Sequence, residues 1–178
     1  MRPAFAVKSG SIFFLSFMVA CSSGEGLPQA TTGAVVSATT AHVTLASKGG
    51  GFGPSLPQGA ACDPGVWSYA ITLASHDIAW NGCEVNGSWD DPAAFVPGSS
   101  DEQVDAATWA PLQSALNQLA ISSDKSCGAD AASRDLTIDD PTGTVVYGDD
   151  FYACLMNYPR YVTTDSLDVL QTTLTNLP

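Results

Sequence analysis

Trp67-Ser68-Tyr69-Ala70-Ile71-Thr72-Leu73, answered by Ile78-Ala79-Trp80-Asn81-Gly82-Cys83, is the stretch on which the fold turns. In both runs large apolar residues alternate with small or polar ones. That period of two sends successive side chains to opposite faces of a half-buried strand. Between them, Ala74-Ser75-His76-Asp77 reads as a turn. Pairing Leu73 with Ile78 sets Ile71 against Trp80, and the large apolar residues then share one face. A slip of one residue would divide them between the two faces.

A second hairpin lies further along. Asp140-Pro141-Thr142-Gly143 has Asp at the first turn position, Pro at the second and Gly at the fourth, the preferences of a type I turn. Pairing Asp139 with Thr144 sets Ile138 against Val145 and Leu136 against Tyr147. Each hairpin is followed by a helical pattern. Residues 109–119, with Thr108 as cap, carry Leu112, Leu116 and Leu119 on one stripe, and Pro111 then falls in the first turn, where it is tolerated. Residues 165–177, capped by Thr163 or Thr164, carry Leu167, Leu170, Leu174 and Leu177. The two helical segments match at an offset of 58, Leu112 with Leu170 and Leu116 with Leu174, and Val104 meets Val162 at the same offset. The expected fold class is therefore α+β: two ββα units, about 62–120 and 127–178, forming an antiparallel sheet of four or more strands with both helices on one face.

Upstream, Arg2 and Lys8 precede the apolar run Ile12-Phe13-Phe14-Leu15-Ser16-Phe17-Met18-Val19-Ala20. A basic segment, nine largely apolar residues and then small residues make a secretory signal over 1–20, well short of the ~20 residues of a membrane span. Met18-Val19-Ala20-Cys21 resembles the lipobox of bacterial lipoproteins, departing from it at Met18, where leucine is usual. That resemblance implies acylation of Cys21 and attachment to a membrane through the lipid. It also implies residence in the cell envelope outside the cytoplasm, at the outer membrane or cell surface. Residues 21–61, rich in Ser, Gly, Thr, Ala and Pro, read as a flexible tether with a reach of roughly 35 Å, in which Ala34-Val35-Val36 and His42-Val43-Thr44-Leu45 are the stretches able to form short strands. His42 is there a solvated linker residue. The domain proper is expected over 62–178.

With Cys21 assigned to lipid, Cys62, Cys83, Cys127 and Cys154 remain. An even number in an oxidising compartment indicates two disulfides, and the hairpins favour Cys62 with Cys83 and Cys127 with Cys154. There is no Cys-x-x-Cys, which removes thioredoxin-like, zinc-ribbon and c-type haem readings. Over 62–178 three basic residues, Lys125, Arg134 and Arg160, stand against seventeen acidic ones. Such a surface repels phosphate backbones, and nucleic acid is excluded as a partner.

Catalytic chemistry finds little support. No Gly-x-Ser-x-Gly is present, His76-Asp77 sits in a turn, and the Asp pairs at 90–91, 139–140 and 149–150 form no calcium loop. No cofactor or metal is expected. Trp67, Tyr69 and Trp80 suit a sugar-binding face, but their alternation points to core packing. The expected function is a non-enzymatic binding or structural module of the envelope, with a protein partner there. Its contact patch would be Trp89, Tyr158 and Tyr161, carried on segments 84–100 and 157–163. An inhibitor of an exported hydrolase is the second reading; a calcium-dependent protein or hydrolase ranks third.

Overall fold

A computed structural model describes residues 35–49, 55–123, 128 and 132–177. The expected signal peptide and Cys21 lie outside the described residues. Seven strands form one sheet: β1 (His42–Lys48), β2 (Val66–Thr72), β3 (Asp77–Val85), β4 (Phe95–Gln103), β5 (Arg134–Asp140), β6 (Gly143–Asp149) and β7 (Arg160–Val162). Their order is β4-β3-β2-β1-β5-β6-β7. Two helices, α1 (Ala106–Asn117) and α2 (Thr164–Thr175), contact each other and bury their apolar stripes in one core. The mixed α/β content, a sheet of more than four strands and the shared helix face agree with the sequence reading; the sheet is not wholly antiparallel, because β7 lies parallel to β6.

The first correction concerns β1. The segment expected to be a tether supplies the strand that joins the two hairpins. Val43 pairs with Ile71 on one side and Ile138 on the other, and Leu45 lies between Tyr69 and Leu136. Val36, Val43 and Leu45 are fully buried, and Val35 nearly so, so the domain begins by residue 35. His42 is exposed, at the start of a strand, and its Nδ1 lies 3.3 Å from Thr72 Oγ1.

The second hairpin has the expected register, with Leu136 against Tyr147, Ile138 against Val145 and Asp139 against Thr144. At its tip Thr142 donates from N and Oγ1 to Asp140 Oδ1 at 2.7 and 2.5 Å, which holds that exposed carboxyl below its ordinary range. The first hairpin is displaced by two residues: Ile71 pairs with Ile78, and Tyr69 with Trp80. A shift of two preserves the faces. Its four-residue loop is the expected length but sits one residue earlier, at 73–76, and His76 turns the corner at φ 58°.

α1 begins earlier than expected. Asp105 caps it, its carboxylate accepting from Thr108 N at 2.8 Å, and Pro111 falls inside the helix, beyond the first turn. α2 is capped by Thr163. The helices retain the offset of 58 throughout: Ala106 to Thr164, Asn117 to Thr175, and caps Asp105 to Thr163.

The strands do not follow the helices in this likeness. β2 and β5 are both antiparallel to β1, so they run the same way, yet their hairpins unroll from β1 in opposite directions. Superposing one hairpin on the other requires a half-turn about the strand axis, which exchanges the faces of the sheet. Both helices nevertheless occupy the same face. The halves are thus related by reflection, which no rotation reproduces. Each also inserts a third strand, β4 antiparallel to β3 but β7 parallel to β6. The helical likeness reflects two amphipathic helices filling one core.

Candidate functional site

On the helix-bearing face, alternation along β5 places Arg134, Leu136 and Ile138 in line. Leu136 and Ile138 enter the core. Arg134 lies one step beyond it, where the apolar layer ends, and a buried guanidinium there must be paired. Its Nε and Nη2 donate to Asp149 Oδ2 at 2.9 and 2.7 Å. Its Nη1 donates to Asp168 Oδ1 at 2.5 Å and to Gln171 Oε1 at 3.0 Å. Asp149, at the end of β6, is itself buried, and its other oxygen accepts from Thr164 Oγ1 and Phe151 N. One pairing therefore ties β5 and β6 to the first turns of α2.

This cluster walls a cavity of 320 Å³, which Trp67, Ser47 and Phe151 also line. The volume is at the lower end of the range typical of small-molecule sites, about 300–1,000 Å³. A second depression, lined by Asp63, Ser68, Asn81 and Gly82 among others, shares Ser47 and Trp67 with the first. The Trp67 indole thus stands between two hollows.

Beside it the sheet presents a shelf of aromatic rings. Trp67 and Tyr69 meet edge to face with centroids 5.7 Å apart. Trp80 lies against the cross-strand pair Gly82 and Gly98, where β-carbons would come within 2.6 and 2.8 Å of the indole. Glycine at both positions gives the ring a floor, and all three aromatics remain partly accessible. The alternation that suggested core packing put these rings on the correct face. Trp67 and Tyr69 pack against the edge of the core without being enclosed by it.

The opposite face carries a separate cluster. Asp135 is buried there, ion-paired with Lys48 and accepting from the Tyr158 hydroxyl. The Lys48 ammonium lies 5.6 Å from the Tyr158 ring centroid. Bonding to Asp135 first, then Tyr158, raises the Lys48 pKa; burial, then Asp135, raises that of Tyr158. The Tyr158 ring covers Gly148 so closely that no β-carbon fits.

The expected patch of Trp89, Tyr158 and Tyr161 is not assembled. Trp89 is 46 % exposed near the β3–β4 edge, edge-on to Phe95. Tyr158 and Tyr161 sit at the β6–β7 edge, five strand spacings away, about 24 Å at ~4.8 Å per spacing. Tyr161 is buried and donates to Met156 O at 2.5 Å. The two segments offered as loops are also partly strand, β3 reaching Val85, β4 starting at Phe95, and β7 taking 160–162.

Cys62 and Cys83 form a disulfide, S–S 2.03 Å, next to the second depression. Cys154 is also disulfide-bonded, while Cys127 lies outside the described residues. Among the described residues no cluster of His, Cys, Asp and Glu is arranged to hold a metal, and no helix is long and apolar enough to cross a membrane. The chain matches no protein-family model, and no curated protein or solved structure matches it.

The sequence reading named Arg134 only as a charge, weighed Asp149 only within an acidic pair for calcium, and never singled out Asp168 or Gln171. The signal was present in the second hairpin. Once Leu136 and Ile138 face the core, Arg134 must face the same way, and so must Asp149 after Tyr147.

Proposed function

We propose that the chain is an exported protein, anchored in the cell envelope through a lipid on Cys21, whose domain is a non-enzymatic binding module. The observation that carries this reading is the cleft at Trp67. It joins a partly open aromatic shelf to a polar wall whose one cation, Arg134, is held by two carboxylates and an amide. A guanidinium fixed in this way organises a surface for recognition, and its charge is already answered. His76, weighed as a candidate base beside Asp77, stacks on Trp109 with centroids 4.0 Å apart, and neither it nor His42 lines the cleft.

The anchor follows from the signal and lipobox-like residues, and the disulfide fits an oxidising compartment. The inhibitor reading retains only Trp89, since Tyr158 and Tyr161 are engaged elsewhere. The test is fractionation of cells expressing the full-length chain or its Cys21→Ser variant. The wild type should partition with membranes and carry a diacylglyceryl mass on Cys21, and the variant should leave the membrane fraction. Recovery of both in the same soluble fraction, without the adduct, would refute the anchored reading.

A further inference from the structure

We infer that the Trp67 cleft binds an uncharged pyranose chain, a ring stacking on Trp67 and its hydroxyls meeting the groups beside Arg134. This rests on the binding-module reading and supplies its ligand class.

Three features support the assignment. The first is shape. Trp67 lines two hollows, and Tyr69 and Trp80 extend the aromatic surface beside them across β2 and β3. Partly exposed flat rings along a groove suit a ligand with apolar faces and polar edges, because the ring π-surface takes the C–H face while the edges stay hydrated. A pyranose chain has this form; a compact ion or a purely apolar ligand does not.

The second feature is the polar groups left over. Guanidinium has five N–H donors, and four bonds from Arg134 are accounted for, leaving an Nη2 hydrogen without an acceptor among the described residues. Asp168 uses Oδ1 alone and its side chain is 60 % exposed, so Oδ2 is open to accept. Gln171 accepts through Oε1, which leaves its amide NH₂ to donate. One acceptor and two donor groups, gathered around the guanidinium, are the complement of adjacent hydroxyls.

The third is charge. The chain carries a formal −12, and Arg134 is outnumbered by Asp149 and Asp168 within the cleft. An anionic glycan is repelled on both scales. A neutral chain is not, and its hydroxyls accept from Nη2 while donating to Asp168.

Such a chain has two sources, an N-acetylated wall glycan or a plain glucan from outside. Chitohexaose stands for the first and cellohexaose for the second. The full-length chain in detergent is titrated with each, with binding followed by calorimetry and by ligand proton saturation transfer. We expect binding of one or both, weakened at least tenfold in Trp67→Ala and at least threefold in Gln171→Ala, and unchanged in Trp89→Ala. Because Trp67 contacts the core edge, each variant is also melted. Gln171→Ala, at a partly accessible helix position, keeps the test decisive if Trp67→Ala unfolds. Overturning results are no binding of either oligosaccharide, binding unaffected by Gln171→Ala, or tighter binding of oligogalacturonate than of both neutral probes. A membrane-anchored chain that binds neither sugar would refute this ligand class and leave the anchored reading intact.

Discussion

Leu45→Ala should destabilise the domain by about 2–5 kcal/mol, the range for deleting a fully buried leucine. Leu45 has no accessible surface and sits between Tyr69 and Leu136 at the centre of the sheet. Deleting 35–48 should abolish folding. Val36, Val43 and Leu45 are all fully buried, and at about 1.5–3 kcal/mol each they contribute roughly 4.5–9 kcal/mol, an upper estimate because the unfolded chain is partly compact. That is comparable to the whole stability of a typical domain, about 5–15 kcal/mol. The deletion would also leave the facing edges of β2 and β5 without their partner. Urea unfolding followed by far-UV circular dichroism gives the answer. With a slope of about 2 kcal/mol/M, Leu45→Ala should lower the midpoint by about 1–2.5 M. Thr44→Ala, on the opposite face, should change stability by well under half as much. Equal, small effects of the two substitutions, or a cooperative transition in a chain beginning at residue 60, would refute the placement of β1.

Replacing Cys62 and Cys83 with alanine should cost about 3 kcal/mol, the loop-closure entropy for a separation of 21 residues, read as a fall in the thermal midpoint. Arg134→Met leaves Asp149 buried without its cation and should cost about 3–5 kcal/mol; adding Asp149→Leu should recover much of this, and additive losses in the double-mutant cycle would contradict the pairing. Burial pushes His76 below its ordinary 6.5, with Asp77 opposing, so the unfolded chain takes up a proton there before the folded chain does. Stability is therefore lost as pH falls from about 6.5 toward the lower folded value, and His76→Asn, which suits the positive φ, should flatten that part of the pH–stability curve. An unchanged slope in the variant would place the titration elsewhere.

The hairpins were legible because each carries its own register signal. The second was read correctly to the residue, since an Asp-Pro-Thr-Gly turn specifies both the loop and the pairing. The first slipped by two because Ala74-Ser75-His76-Asp77 specifies no turn type, and a two-residue error leaves every side chain on its proper face. β1 was hidden by composition. Its outward positions, Thr44 and Ala46, are small or polar, and only Val43 and Leu45 advertise a strand within a Ser- and Thr-rich segment. Its apolar contribution is concentrated in those two inward positions, too short a run to stand out from the composition around it. The two-unit likeness extends no further than the helices for a different reason. Leucine spacing and a cap record that a helix covers a sheet, while handedness lies in strand order, which the pattern of one segment does not contain.

The cleft follows the same logic and explains why its polar residues were harder to find than its aromatics. Trp67, Tyr69 and Trp80 betray themselves locally by alternation. Arg134 and Asp149 are separated by a hairpin, and Asp168 and Gln171 come from the last helix, so their convergence depends on β7 returning beside β6 and aiming α2 at the end of β5. Burial explains why the arrangement has to be cooperative. A guanidinium at the rim of the core is tolerable only when β6 and α2 both arrive to pair it, and once they do, their unused polar atoms border the Trp67 hollow. The interaction that docks α2 onto the sheet is thereby the one that builds the polar wall. Substitutions that loosen the Arg134 network, Gln171→Ala among them, should accordingly weaken stability and ligand binding together, so each variant's binding loss is read against its melting temperature.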